Sequence, residues 1–283
     1  MEELYEQHKR LLFALAYQLL GSAADAEDAV QDVFLKVYDI DPERLNDPKA
    51  YLCKMVTNRC LDILRSARKR REQYVGPWLP EPILTSGDEP LESVVRGELL
   101  SYAMLVLLEK LTPLERAVFV LREALCFDYA AIAELVEKSE ANCRKIVSRA
   151  RGRLGISADE PIHPEPAGEE WVRRFLAALE QGDTPKVLSL LAEDVVLLSD
   201  GGGKVLAAVH PVVTRDRVAK FLLGVIRQFP GMRAVIKSIN GQPGVWILSN
   251  GELDTVALFH VEHEQIRSLY LIRNPDKLKL DVK

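Results

Sequence analysis

The sequence predicts a multidomain chain: two all-α domains, the second built on a helix-turn-helix, followed by an α+β domain. Three observations support this. Apolar residues recur at helical spacing through residues 1–155. Two breaks, at 73–98 and 157–170, interrupt that pattern with prolines and acidic residues. Beyond the second break, β-branched and aromatic runs alternate with turn signals such as Asn-Gly.

A chain of 283 residues has room for two or three domains. Its 48% hydrophobic and 28% charged content is that of a globular protein with real cores. No segment is long enough to span a membrane. The run LLFALAYQLL (11–20), behind Lys9 and Arg10, has some look of a signal peptide. Glu2, Glu3 and Glu6 ahead of it, and Tyr17 and Gln18 inside it, argue for a buried amphipathic helix instead, so a cytoplasmic protein is expected. Cys53, Cys60, Cys126 and Cys143 lack CxxC spacing and are expected to fill cores. His260 and His263 lie three apart in one expected strand and should point to opposite faces, which argues against a shared metal. No metal or cofactor is expected.

In the first domain (1–72), Ser22 precedes a helix in which Ala26, Ala29, Val30, Val33 and Val37 share one face. Asp25, Asp28 and Asp32 line the other side, with Glu27 and Gln31 beside them. The linker 73–98 holds four prolines and three glycines and is expected to be non-helical. The second domain (99–155) opens with a helix near Leu99. Thr112-Pro113-Leu114-Glu115 then starts another, with Thr as cap, Pro in the first turn and Glu three residues on. A second linker (156–168) leads to the third domain (169–283). There WVRRFLAALEQGD and PKVLSLLAED read as helices. VVLLS (195–199), RAVIKSI (233–239), GVWILS (244–249), LDTVALFHV (253–261) and QIRSLYLIR (265–273) read as an antiparallel sheet.

Charge is unevenly distributed. The whole chain carries −5, yet residues 49–71 hold eight Lys/Arg against Asp62 alone, or +7, and residues 139–154 hold five against Glu140, or +4. Basic stretches in an acidic protein point to polyanion contacts at chosen places. In the second stretch, Asp128 caps a short helix with Tyr129, Ile132, Ala133 and Val136 on one face. Glu137-Lys138 makes the turn, and Ser139 caps a second helix with Cys143, Ile146, Val147, Ala150 and Leu154 inward. This is a helix-turn-helix. Glu140, Ala141, Asn142 and Lys145 sit where base edges are met. Arg144 and Ser148 share the outward face, and Arg149, Arg151 and Arg153 suit phosphates.

Residues 50–71 (AYLCKMVTNRCLDILRSARKRR) resemble the promoter-reading helix of extracytoplasmic-function (ECF) RNA polymerase sigma factors. Tyr51-Leu52, Asn58, Asp62, Arg65 and Arg68 fall on that pattern, with Tyr51 where the family usually has Trp. The resemblance implies a sigma-2 domain whose Tyr51, Asn58, Arg59, Arg65, Arg68 and Lys69 face the −10 element. Asp62 is expected to pair with a neighbouring arginine. The helix DAEDAVQDVFLKVY (25–38) resembles the segment that grips core polymerase, which assigns that role to Asp25, Glu27, Asp28, Gln31 and Asp32. The helix-turn-helix resembles the sigma-4 domain that reads the −35 element. Core RNA polymerase and promoter DNA are the implied partners.

Three further motifs are similar to signatures of ECF group 41, whose members carry a fused C-terminal SnoaL-like cone. They are Trp78-Leu79-Pro80-Glu81-Pro82, Asp200-Gly201-Gly202-Gly203-Lys204 and Asn274-Pro275-Asp276-Lys277-Leu278. The resemblance implies regulation by the chain's own C-terminal domain. The three motifs are therefore expected near one another or at a domain junction. The plain alternatives are a rigid spacer, a solvated glycine turn and a domain-ending turn. Asp200, His210, Glu252, Asp254 and His260 could serve an enzyme, but nothing in their spacing marks a catalytic pair. A small-molecule ligand in this domain stays open. So do two other readings of the chain: a helix-turn-helix regulator acting alone, and a SnoaL-like enzyme tethered to a DNA-binding module.

Overall fold

The computed structural model describes residues 2–38, 40, 47–71, 73–85, 100–157, 168–229 and 231–279, with the backbone alone for Glu2 and residues 67–71. The stretches 86–98 and 158–167 of the two expected linkers lie outside the described residues. The chain forms two compact units. The first comprises Met1–Glu72, Glu89–Leu100 and Met104–Pro164; the second comprises Gln73–Asp88, Ser101–Ala103 and Glu165–Lys283. Among the described residues no helix is long and apolar enough to cross a membrane.

The described residues of the first unit form helices and the turns that join them. α1 (Glu2–Leu20) buries Leu12, Leu15 and Leu19, as its apolar run requires. α2 (Ala23–Val37) starts at Ser22, whose hydroxyl accepts from the Asp25 N–H at 3.2 Å. Its buried residues are Ala26, Ala29, Val30, Val33 and Val37. α3 (Pro48–Arg71) opens with proline at its first position and with Asp47 accepting from the Ala50 N–H at 2.9 Å. α4 (Tyr102–Leu108) begins in the second unit and continues into the first. α5 (Pro113–Glu123) carries the expected capping box: Thr112 accepts from the Glu115 N–H, and Glu115 accepts from the Thr112 N–H at 3.0 Å. α6 (Tyr129–Val136) and α7 (Glu140–Leu154) complete the helix-turn-helix, with Glu137 in the left-handed region between them (φ 55°). The buried face of α6 is Ile132, Leu135 and Val136, so Leu135 takes the place that spacing gave to Tyr129. Cys126 corrects the expectation of four core cysteines. It is exposed, in the loop between α5 and α6, while Cys53, Cys60 and Cys143 are buried.

One buried cation ties this unit together. The Arg116 guanidinium donates to the Leu108 carbonyl at 2.8 and 3.1 Å and to the Leu19 carbonyl at 2.9 Å. These oxygens belong to the last turns of α4 and α1, where helices leave carbonyls without internal donors. Glu109, 2.7 Å away, balances the charge.

The second unit is a curved sheet holding helices against one face. α8 (Glu169–Glu180) and α9 (Thr184–Ser189) lead into β1 (Leu191–Asp200). β2 (Val212–Val213) and α10 (Arg215–Gln228) follow, then β3 (Arg233–Ile239), β4 (Gln242–Ser249), β5 (Glu252–Glu262) and β6 (Gln265–Ile272). The sheet order is β2-β1-β6-β5-β4-β3. Three expectations are corrected. β1 pairs parallel with β6, so the sheet is mixed rather than antiparallel. Residues 191–194 of the expected helix PKVLSLLAED belong to β1. His263 lies past the end of β5, in a turn where His263 and Glu264 both have positive φ. The sequence reading also missed α10. Asn240-Gly241 and Asn250-Gly251 make left-handed hairpin turns as expected. Register shifts in β1, β4 and β5 add the bends that curl the sheet.

The inner face carries the core: Trp171, Phe175 and Leu179 of α8 and Leu222 of α10 against Ala257, Phe259, Leu269 and Leu271. Each large apolar side chain buried here contributes about 1.5–3 kcal/mol. The outer face is also apolar and buried at Val256, Leu258, Tyr270 and Ile272.

Replacing Arg116 by Met removes the donors to two helix-terminal carbonyls in the interior. We expect the helical unit to lose about 3–5 kcal/mol, measured as a lower urea midpoint in far-ultraviolet circular dichroism. An unchanged midpoint would mean that Arg116 does not hold the helix ends.

Candidate functional sites

The acidic face of α2 presents Asp25, Glu27, Asp28 and Gln31 to solvent. Leu35 and Tyr38 continue this surface and are 75% and 71% exposed. Asp32 is half-buried and is engaged elsewhere. Its carboxylate accepts from Arg59 Nε at 2.8 Å and pairs with Arg59 Nη2 at 2.7 Å. The structure thus joins a residue expected to face polymerase to one expected to face DNA, as a brace between α2 and α3.

α3 buries Leu52, Cys53, Val56, Cys60, Leu61 and Leu64. That leaves Asn58, Asp62 and Arg65 exposed along one stripe, with Tyr51 half-buried one turn-pair earlier. Asp62 pairs with Arg65 at 2.9 Å, which answers the question of its partner. The side chains of Arg68 and Lys69 lie outside those described.

On α7, Ser139 caps the first turn by accepting from the Asn142 N–H at 3.3 Å. Cys143, Ile146, Val147, Ala150 and Leu154 face in, and burial pushes the Cys143 thiol pKa up. Glu140, Ala141, Asn142, Lys145, Ser148 and Arg149 are exposed on the other side. Arg144 is exposed too, but it pairs with Glu140 at 3.1 Å and stacks 4.3 Å over the Tyr129 ring. Arg151 departs from its expected role. It grips both Glu123 oxygens at 3.1 and 3.3 Å and the Ser157 carbonyl at 2.8 Å, so it braces α7 to α5. Arg153 pairs with Glu115 at 2.7 Å.

The second unit contains a different site. Segment 73–85 lies against the sheet domain, and its hub is Asp200, which has no exposed surface. One Asp200 oxygen accepts from the Tyr74 hydroxyl at 2.6 Å and the Gly202 N–H at 3.0 Å. The other accepts from the Leu79 N–H at 2.9 Å and Lys277 Nζ at 2.7 Å. Lys277 Nζ also donates to the Leu79 carbonyl at 2.5 Å and lies 4.0 Å from the Trp78 ring centre. Asn274 donates to the Tyr74 hydroxyl at 2.8 Å and accepts from the Asp276 N–H at 3.1 Å. Burial first, and the hydrogen bond to Asp200 second, push the Tyr74 pKa up. Lys204 pairs with Asp276 at the surface, at 2.5 Å, and this holds the Asp276 carboxyl below its usual range. Pro275 is exposed and Leu278 half-buried.

The glycines have a steric reason. Gly202 has φ +60°, and a Cβ there would sit 2.6 Å from the Asn274 Cγ. A Cβ at Gly201 would meet the Val205 carbonyl at 2.6 Å, and one at Gly203 would press on Val75 at 3.2 Å.

A second anchor follows along the linker. The Pro80 carbonyl accepts from the Tyr102 hydroxyl at 2.7 Å, and the Tyr102 ring packs edge-on against Tyr270. Glu81 is half-buried and Pro82 buried. Leu84 then bridges to Ile239 in antiparallel fashion. The Ile83 N–H donates to the Asn240 side chain at 3.0 Å, and the Thr85 N–H donates to the Ser238 carbonyl at 2.9 Å. The linker thereby pairs with the end of edge strand β3. Sequence reasoning missed Tyr74, Tyr102, Asn240 and Thr85. The available signal was the apolar character of both faces of β5 and β6, which calls for a cover on each side. The groups considered for catalysis do not converge. Asp200 is engaged by the linker, Asp254 by Arg273 at 2.9 Å and His260 by Glu262 at 3.0 Å, while His210 and Glu252 are exposed.

The family model for Sigma-70 region 2 matches residues 4–70, that for Sigma-70 region 4 matches 101–154, and that for the SnoaL-like domain matches 172–268. Along nearly its whole length the chain is similar to the ECF RNA polymerase sigma factor SigJ of Mycobacterium tuberculosis strain H37Rv. Identity is 37%, over 96% of this chain and 91% of that protein. The chain belongs to the ECF RNA polymerase sigma factors. This sigma factor also superposes on the crystal structure of the Mycobacterium tuberculosis sigma factor SigJ with a TM-score of 0.81, at 33% identity and over 98% of each chain. It is 29% identical to the "Probable ECF RNA polymerase sigma factor SigI" of Mycobacterium tuberculosis strain CDC 1551, over 97% of this chain and 93% of that one.

A Gly202→Val substitution should push the Asn274 side chain away and strain the turn by roughly 1–2 kcal/mol. In a background where Trp171 and Trp246 are Phe, acrylamide should then quench Trp78 more strongly. Unchanged quenching would contradict the tight approach described here.

Proposed function

We propose that this sigma factor binds core RNA polymerase through the acidic and apolar face of α2 and reads promoter DNA with α3 and α7. Its C-terminal domain acts as a regulator, not an enzyme, by holding the segment between the two DNA-reading domains. The exposed stripe of Asn58, Asp62 and Arg65 and the exposed first turn of α7 support the DNA assignments. The observation that carries the regulatory part is the Asp200 carboxylate: two of its four partners come from the linker and one from the tail.

The physical logic is one of separation. Two DNA-reading modules on a free linker sample many distances, and few of these match a promoter. A domain that fixes residues 74–85 narrows that distribution, and an energy difference of even 2–3 kcal/mol between docked and free linker shifts the active fraction roughly 30–150-fold at low occupancy. The net charge of −5 fits a protein whose promoter affinity appears with polymerase bound.

Run-off transcription with core polymerase tests the reading. Removing residues 274–283 should change transcript yield several-fold while core affinity stays nearly constant; a truncated chain that transcribes like the intact one would leave the regulatory role unsupported.

Promoter specificity gives a second test. Asn142→Ala should relax preference at one −35 position by about 1–3 kcal/mol. Arg149→Ala should instead weaken all promoters alike and flatten the salt dependence. Identical specificity profiles for the two variants would show that the DNA-facing side of α7 is misassigned.

A further inference from the structure

The inner face of the sheet is not filled by its own helices. A cavity of about 1050 Å³ lies among α8, α10, the loop before β2 and strands β3 to β6. That is slightly above the range of about 300–1,000 Å³ usual for small-molecule sites. Its walls are mostly apolar, including Leu176, Phe221, Ile226 and Leu271. Two large apolar residues at its lining are left in solvent, Leu206 at 77% and Phe229 at 39%.

Two details point to an occupant. The first is Gly224, inside α10, which lines the cavity where it opens to solvent. A Cβ there would meet nothing within 4 Å, so no neighbour among the described residues requires glycine. Glycine inside a helix costs about 1 kcal/mol relative to alanine. What the missing side chain leaves open is the mouth of the cavity.

The second is Arg273. Its Nη2 donates to the two Asp254 oxygens at 2.9 and 3.0 Å, and its Nη1 donates to the Leu206 carbonyl. Thr255 donates to Asp254 at 2.6 Å, so that carboxylate is well supplied with donors. Nε of Arg273 is buried with no partner among the described residues. An unfilled buried donor on a cation favours an incoming acceptor, an anionic one most. Arg217 and Lys220 line the same cavity, so the cations there outnumber Glu180 and Asp254.

We propose that this cavity is a binding site for an apolar carboxylate, a long-chain acid. Its chain lies along Phe221 and Ile226 and enters past Gly224 at the cavity mouth, and its head group is held by Arg273 with Lys220 and Arg217 nearby. This goes beyond the transcriptional role, and its test needs neither polymerase nor DNA.

The test is calorimetric titration of the intact chain with sodium tetradecanoate below its micelle concentration, with tetradecanol and tetradecyltrimethylammonium as comparators. Expected are saturable one-to-one binding of the acid, at least tenfold weaker binding of the alcohol, and no binding of the cation. Gly224→Leu replaces a helix-interior glycine, introduces no Cβ clash and narrows the cavity mouth, so its melting temperature should equal or exceed that of the parent chain while acid binding falls at least tenfold. Arg273→Lys should erase most of the preference for acid over alcohol. Absence of saturable acid binding would overturn the proposal, as would equal affinity for acid and alcohol. Wild-type binding by a folded Gly224→Leu chain would overturn the location.

Discussion

A carboxylate with no exposure to water must be met by donors, and the second unit is arranged around one that is. Asp200 ends β1, and its four partners come from the linker, the glycine turn and the tail. Lys277 is itself buried, so each charge is the other's main compensation. Breaking one side of such a pair typically costs 3–5 kcal/mol, because the remaining charge stays in a poor solvent. Tyr74, Leu79, Asn274 and the glycines take their positions from this constraint. Gly202 must lack a side chain because Asn274 reaches past it to Tyr74.

This arrangement turns a spacer into part of a domain. Pro80 and Pro82 have no N–H, so the segment offers few backbone donors; those of Leu79, Ile83 and Thr85 are met by Asp200, Asn240 and Ser238. A chain stiffened by proline loses little entropy on docking. Linker residues come directly after the domain matched by the Sigma-70 region 2 model and before the one matched by region 4. The proposed regulation works through that connection. The family membership says what those domains are for, and the linker geometry supports a means of controlling them.

Much of this was legible in the sequence, because local physics wrote it there. Thr112, Asp128 and Ser139 cap the helices they were expected to cap, Ser22 stands at the start of the helix it was expected to precede, and the inward stripes of α2 and α7 are those their spacing predicts. What was not legible depends on partners far apart in the chain. Asp32 reads as a surface acid until Arg59 comes beside it, and Arg151 reads as a phosphate ligand until Glu123 does. Asp200 opens a motif that reads equally well as a solvated turn, and Lys204 at its other end is indeed exposed. Helix α10 was missed because Val212-Val213 precedes it and Gly224 interrupts it. The parallel pairing of β1 with β6 joins strands separated by most of the domain, which no local pattern encodes.

The C-terminal domain holds the linker through Asp200. Amide hydrogen exchange in the intact chain measures this directly, at the N–H groups of Leu79, Ile83 and Thr85. All three should be protected, and Lys277→Met should release Leu79 most, because that N–H shares an oxygen with Lys277. Exchange of the three amides at the rate of an unstructured peptide, in the unsubstituted chain, would contradict it.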